Sequence, residues 1–349
     1  MTICFEGSSF ELLPDETVLE GIERQGARLP SYCRQGVCQS CIVKATRGNV
    51  PAAAQKGLKD GLRRQSLFLA CMCKPTEDLE VARYGSSERF ESRVEAVELL
   101  SGNVLRVLVA APHGFVYEAG QYVQLEREGD GAMRPYSIAS LPGSTRLELH
   151  VALLPGGVMS GWLRTAVGER VWLHGPFGEC FYVPEEPERP LCLAGTGTGL
   201  APLLGVVRAA IAAGHRGPIR LFHGSVQQAG LYLWAELQAL LARTPQLSLV
   251  GSVLEAPEGS ATGSSPESSA GSESGVASES RAGSRPRSRI RVAALDEAIL
   301  SEGEAWNEQR VYLCGHHDLV RKLQKKLYLA GVPLARIHTD PFVAPAARA

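Results

Sequence analysis

The pattern of apolar and polar positions changes character twice along the chain. The opening stretch, TICFEGSSFELL, fits a β-hairpin turning at Gly7–Ser8, with a helix beginning near Asp15–Glu16. From Phe90 to about Val183 come short alternating segments broken by glycine and proline: SRVEAVELL, VLRVLVAA, GQYVQLERE, LELHVALL and GERVWLHGPFG. Many short strands at that spacing predict a small antiparallel barrel. Beyond it, fully apolar runs alternate with longer amphipathic ones, as in a parallel α/β sheet. RPLCLAGTGTGLAPLLGVVRAAIAAG reads as a buried strand, a glycine loop and an apolar helix with Pro202 near its first turn. RLFHGSVQ and VYLCGHHDLVRKLQKKLYLAG supply further strand and helix pairs.

One stretch follows none of these patterns. Ala256 to Arg289 holds eleven serines and five glycines and has no aromatic residue. Such a segment buries too little apolar surface to offset its ordering entropy, so disorder is expected at about 256–289. It falls between LSLVGSVLE and RIRVAALDEAI, inside the α/β pattern. Loop closure cost grows only logarithmically with length, so a sheet tolerates it there. Its four acidic residues precede four arginines, which could dock a partner, but a passive insertion is the simpler reading.

At 349 residues the chain exceeds the usual size of one core, so several domains are expected. A net charge of −1 argues against coating nucleic acid or an anionic membrane. The N-terminus lacks a basic segment followed by an apolar run, and the longest uncharged stretch, Leu191 to Val207, is interrupted by glycines and Pro202. A cytoplasmic, monomeric protein without nucleic-acid or membrane partners is therefore expected. In that compartment nine cysteines are thiols or metal ligands rather than disulfides.

Three of those cysteines stand together in CRQGVCQSC: Cys33, Cys38 and Cys41. A zinc ribbon would need two C-x-x-C pairs, and the stretch has C-x4-C-x2-C instead. A fourth cysteine, Cys71, ends the run LFLA, and this is the plant-type [2Fe–2S] ligand spacing. Cys73 competes with Cys71, which is preferred because it follows the strand directly. Gly36 suits a loop whose backbone must approach inorganic sulfide closely. Cys4, Cys180, Cys192 and Cys314 lie in apolar or strand-like contexts and read as small core residues.

On these motifs the first 85 residues resemble a plant-type ferredoxin, a β-grasp domain. Gln39 departs from the family, which often has glycine after the second ligand; a side chain there could change hydrogen bonding to the cluster. In the barrel, RPYSIAS (Arg134–Ser140) and GGVMSGWL (Gly156–Leu163), followed by GPFG, resemble the FAD domain of the ferredoxin–NADP reductase superfamily. That resemblance implies Arg134 on the diphosphate, Tyr136 against the isoalloxazine and Ser137 near flavin N5. It implies a cradle of Gly156, Gly157, Val158, Met159 and Ser160 around the diphosphate. The loop Gly195, Thr196, Gly197, Thr198, Gly199 is not the G-x-G-x-x-G fingerprint. It is similar to the superfamily's own G-x-G-T-G-x-A-P loop under the pyridine nucleotide, with Cys314–Gly315 beside the nicotinamide.

The family usually has a proline two residues after that cysteine–glycine pair, where this chain has His316–His317; adjacent loop histidines are normally solvated and are not read as metal ligands. Gln227 and Gln228 follow Ser225 with no cation for a 2′-phosphate, which favours NADH. Phe342 in HTDPF is a candidate cover for the flavin or a plain tail anchor.

The expected fold is thus multidomain: a β-grasp ferredoxin over 1–85, an antiparallel FAD-binding β-barrel over 88–185, and a Rossmann-like parallel α/β NAD domain over 188–345. The full layout resembles reductase components of bacterial multicomponent oxygenases such as phenol hydroxylase, and equally CDP-6-deoxy-Δ3,4-glucoseen reductase. The resemblance implies a path NADH to FAD to cluster to an outside electron-acceptor protein, with FAD adapting a two-electron donor to a one-electron acceptor. No catalytic nucleophile or acid–base dyad is required; Ser137 and Cys314 stand near flavin and nicotinamide. A deoxysugar-type partner, or a non-catalytic redox-sensing module, remains the alternative to an oxygenase partner.

Overall fold

The computed structural model describes residues 1–29, 31, 34–36, 41–84, 89–255, 287–302 and 305–342. Three sheets divide them. The first comprises β1 (Thr2–Phe5), β2 (Ser8–Glu11), β3 (Ile42–Arg47), β4 (Leu67–Leu69) and β5 (Leu79–Arg83), in the order β2-β1-β5-β3-β4. Helix α1 (Val18–Arg24) packs across it and α2 (Asp60–Arg64) precedes β4. Ile3, Val18, Ile22 and Phe68 meet in a fully buried core. Two local expectations shift. The hairpin turns at Glu6–Gly7, both with positive φ, not at Gly7–Ser8. The helix starts later than Asp15–Glu16, because Thr17 and Glu20 form a reciprocal capping box ahead of Val18.

The second sheet is antiparallel: β6 (Arg89–Ser101), β7 (Val104–Ala110), β8 (Tyr122–Arg127), β9 (Met133–Ser137), β10 (Arg146–Ala152) and β11 (Arg170–Phe177), ordered β10-β7-β6-β11-β8-β9. A bridge between Ile138 and Leu149 joins the β9 edge to β10, closing the sheet on itself. Alternate residues such as Val107, Val109, Val123, Leu125, Leu147 and Leu149 fill the interior. Helix α3 (Val158–Leu163) inserts Met159 and Leu163 into the same core.

The third sheet is wholly parallel: β12 (Leu191–Thr196), β13 (Ile219–Ser225), β14 (Leu247–Val253), β15 (Ser288–Val292), β16 (Arg310–His316) and β17 (Ile337–Phe342). Its order, β15-β14-β13-β12-β16-β17, is that of a doubly wound domain with α4 (Leu200–Ala212), α5 (Trp234–Ala242), α6 (Leu295–Leu300) and α7 (His317–Leu329). Strands β12 and β16 are buried along nearly their whole length, as expected for strands covered on both faces. The segment expected to be disordered overlaps this sheet: Ser288 and Arg289 belong to β15. Arg287 donates to Thr244 O and Pro245 O, both at 2.9 Å, and Arg289 pairs with the buried Glu302, so these arginines are tied to the sheet. The rest of that segment, 256–286, lies outside the described residues.

Helix α4 locks the parallel sheet onto the barrel. A Cβ at Gly205 would stand 2.7 Å from Gly120 N and 2.8 Å from Ile138 O, so backbone meets backbone there. Beside it, Tyr232 O–H and His150 Nδ1 form a buried hydrogen bond of 3.0 Å. Among the described residues no helix is long and apolar enough to cross a membrane.

Candidate functional site

Cys33, Cys38 and Gln39 lie outside the described residues. Cys41 and Cys71 are described, and the β3–β4 pairing brings them together. Ile42 opposes Leu69, and Ala70 N donates to Cys41 O at 3.0 Å, so both cysteines stand at the same end of the strand pair. Gly36 has φ +77°, and a Cβ there would stand 2.9 Å from Met72 Cγ, so the backbone of Gly36 lies against the Cys71 turn. Cys73 is fully buried, and burial pushes its thiol up to about 12. Its carbonyl accepts from Val18 N at 2.8 Å, which ties it to the helix that covers the sheet. Soft thiolate donors on a loop and an adjoining turn are the chemistry an iron–sulfur cluster requires.

Strand β9 carries the next group. Strand periodicity puts Arg134 and Tyr136 on one face and Ser137 on the other. Arg134 is half-buried, and its Nη1 donates to Met133 O at 2.7 Å. Tyr136 packs against the barrel core, and burial raises its hydroxyl to about 12, so it stays a neutral, flat surface. Ahead of α3, Gly156 has φ +67° and a Cβ at Gly157 would meet Leu154 O at 3.0 Å, so this turn needs both glycines. Ser160 Oγ accepts from Leu154 N at 3.3 Å, Met159 is buried and Val158 exposed. The cradle is thus backbone, with Ser160 bracing it from behind.

Ser137 is buried and donates from Oγ to Asp340 Oδ2 at 2.8 Å, joining the barrel to the last strand of the parallel sheet. Asp340 as a residue keeps some exposure, but its carboxyl faces inward beside Cys314, its register partner on β16. Burial raises that carboxyl from 3.8 to about 6, and the Ser137 hydrogen bond opposes the rise. Tyr122 pairs with Ser137 across β8 and β9, and its hydroxyl is raised by burial and by Asp340.

The glycine loop after β12 interlocks with the end of β16. A Cβ at Gly195 would stand 2.8 Å from Cys314 O, and one at Gly199 would stand 2.5 Å from it. Gly315, at φ +116°, is within 2.9 Å of Thr196 O by the same measure. Gly197 has φ +52° and open space around it, while Thr196 and Thr198 keep partial exposure. A ligand can therefore lie against this loop at backbone distance. Cys314 Sγ is 3.2 Å from Cys180 Sγ, both buried, and burial followed by that contact raises the Cys314 thiol well above its usual range. Both remain core thiols, but they form one pair across the barrel–sheet junction.

His316, His317 and Asp318 bring their ligand atoms within 4.8 Å of one another, at the exposed start of α7. Gln227 Nε2 donates to Glu255 Oε2 at 2.8 Å beyond the end of β13. A carboxylate there would repel a 2′-phosphate. Phe342 is half-buried at the end of β17, in register with His316.

Sequence reasoning missed Asp340, Tyr122, Glu255 and the pairing of Cys180 with Cys314. HTDPF held a signal for Asp340, the only acid in that terminal segment. Nothing local marked Cys180, whose partner is 134 positions away.

Three family models match the chain in order: the 2Fe-2S iron-sulfur cluster binding domain over 1–76, the oxidoreductase FAD-binding domain over 91–182, and the oxidoreductase NAD-binding domain over 193–267. The aromatic O-demethylase reductase subunit of an Amycolatopsis strain is 36% identical over 242 residues, spanning 65% of this chain and 72% of that protein. The toluate 1,2-dioxygenase electron transfer component of Pseudomonas putida is 27% identical over 95% of this chain and 94% of its own length. Among solved structures, the Amycolatopsis cytochrome P450 reductase GcoB aligns over 98% of both chains with TM-score 0.63 and 28% identity.

The chain belongs to the ferredoxin–NAD(P)H reductase superfamily, in the branch that carries a [2Fe–2S] domain ahead of its FAD and NAD domains. Within that branch it is an NADH oxidoreductase in which electrons pass from NADH to FAD to the [2Fe–2S] cluster.

Proposed function

We propose that this chain is the reductase component of an oxygenase system, delivering single electrons from its cluster to a separate oxygenase protein. The relatives that support this include the reductase component of phenol 2-monooxygenase and the electron transfer component of toluate 1,2-dioxygenase. The observation that carries the internal part of this path is the Ser137–Asp340 bond, which brings the barrel and the nucleotide sheet to one point beside Cys314, while the relatives carry the oxygenase partner.

Bound FAD supplies the change from a two-electron donor to a one-electron acceptor. The chain's part is to bind and orient. Arg134 offers a planar fork to the diphosphate and Tyr136 a flat face to the ring. The backbone of Gly156, Gly157, Val158, Met159 and Ser160 surrounds the phosphates. Gly195 to Gly199, with Cys314 and Gly315, admit the nicotinamide nucleotide at backbone distance. Ser137 Oγ directs its proton to Asp340, so its lone pairs would be free to accept from a bound flavin, and ionised Asp340 would hold it in that orientation. Cys33, Cys38, Cys41 and Cys71 hold the cluster. Gln227 and Glu255, at the site where a 2′-phosphate would sit, favour NADH over NADPH.

The test is an anaerobic spectral titration of the holoprotein. Flavin and cluster bands should bleach with stoichiometric NADH and hardly with NADPH. A flavin spectrum without cluster bands, with no iron or sulfide on analysis, would refute the four-cysteine assignment. An oxygenase partner is tested by product formation in a mixture with the candidate oxygenase, against a mixture lacking the reductase.

A further inference from the structure

Among the described residues, the ferredoxin domain bonds to the reductase along the stretch Lys59 to Gln65. Lys59 Nζ pairs with the Glu179 carboxylate. Arg64 reaches Glu185 at 2.9 Å and Glu118 at 3.2 Å. Gln65 Nε2 donates to Gly178 O, and Gln121 Nε2 donates to Gln65 Oε1, each at 3.0 Å. A Cβ at Gly61 would stand 3.1 Å from Glu179 O, so the seam is closed down to backbone contact.

Both sides of this seam lead directly to the redox centres. Gln65 runs through β4 into the Cys71 turn. Gly178 follows Phe177, which is in register with Tyr122, and Tyr122 is in register with Ser137. At the centre lies Arg310, only 2% exposed. Its Nη1 donates to Val183 O at 2.9 Å, and its Nη2 to Glu186 at 2.9 Å and to Asp60 at 3.2 Å. A guanidinium withdrawn from water needs its carboxylates in place, so Arg310 joins residues of all three domains. It sits at the start of β16, the strand that ends at Cys314–Gly315.

We propose that Arg310 and the Lys59–Gln65 stretch form a charged latch that fixes the ferredoxin domain for internal electron transfer. Lys59, Asp60, Arg64 and Arg310 act as positioning residues. In the step they serve, one electron leaves the reduced FAD and one enters the oxidised cluster; NADH has supplied the pair and no bond is made or broken between the domains. The outer pairs of Arg64 are solvent-exposed and weaken with salt, whereas the Arg310 contacts are shielded from it.

The full-length holoprotein mixed rapidly with NADH separates flavin bleaching from cluster bleaching. Lys59→Glu should leave flavin bleaching within about twofold and slow cluster bleaching by about tenfold or more, since small displacements are costly to transfer between fixed partners. Adding Glu179→Lys, which restores the pair with its charges exchanged, should return most of the rate. Independently of turnover, a zero-length carbodiimide should yield a peptide linking Lys59 to Glu179 in the wild type. Its yield should fall severalfold in Asp60→Asn, which takes a carboxylate from Arg310. The proposal is overturned if cluster bleaching in folded Lys59→Glu matches wild type, or if the linked peptide is absent from wild type. Should Lys59→Glu not fold, the wild-type cross-link and its yield in Asp60→Asn decide alone, an unchanged yield overturning the proposal.

Discussion

A carboxyl turned away from water holds its proton more tightly, and Asp340 is in that position, raised to about 6 against 3.8 in its ordinary state. The direction for stability follows. The folded chain binds this proton more tightly than the unfolded one, so Asp340 contributes most below pH 3.8, and that contribution is lost as pH rises through about 6. Catalysis runs the other way, because ionised Asp340 is what orients Ser137. NADH–ferricyanide turnover, which needs no cluster, should therefore fall as the pH is lowered through about 6. Asp340→Asn should remove that limb and leave a flatter, lower profile; a profile with the same limb would rule out Asp340 as its source. The Cys180–Cys314 pair gives a second expectation. With its thiol raised by burial, Cys314 should resist iodoacetamide in the native protein and react after unfolding. At this scale the sequence was legible where residues cluster, as in Cys33 to Cys41 or Arg134 to Ser137. Contacts closed by the fold, such as Ser137 with Asp340, leave no local trace.

Elements were more legible than contacts, because period and punctuation mark them directly. The five barrel segments read from alternation became strands β6, β7, β8, β10 and β11, and RPYS became β9. The glycine loop after β12 was read through its likeness to the superfamily's own loop, its spacing being no general fingerprint, and the backbone contacts with Cys314 explain why Gly195 and Gly199 are glycine. Gly199→Ala would force a methyl toward Cys314 O, an overpacking typically worth about 1–3 kcal/mol. NADH binding should weaken by about tenfold, as a change in KM, while FAD stays bound. Tyr136→Ala should do the reverse, releasing FAD on gel filtration while the parallel sheet stays folded. Where elements were misplaced, a cap or a turn residue decided the boundary. Thr17 moved the start of α1, and left-handed Glu6 moved the hairpin turn. Strand β15 was hidden by the serine-rich composition before it.

For the whole molecule, three sheets in series imply activities that can be separated. Cys71→Ser should abolish electron delivery to cytochrome c and leave ferricyanide reduction near the wild-type rate, because the latter requires only the barrel and the parallel sheet. Loss of both activities with FAD still bound would show that the path is not linear. The order of the sheets was legible from motifs. Their mutual placement was not, because it depends on single side chains such as Arg310, whose partners come from segments far apart in the chain.

The break between β14 and β15 has a practical consequence. These two strands form the margin of the parallel sheet, whereas Arg310 on β16 faces the ferredoxin from the other side of β12. Leu249 opposes Ser288 and Val253 opposes Val292, so their register is set by ladder bonds and not by the length of chain joining them. Parallel neighbours need a return path of about a dozen residues, and anything beyond that is spare. Evolution has in effect left a splice point in this reductase. New termini, a reporter domain or a tether to an acceptor protein could be introduced there, on the opposite margin of the sheet from Arg310 and beyond the Gln227–Glu255 contact.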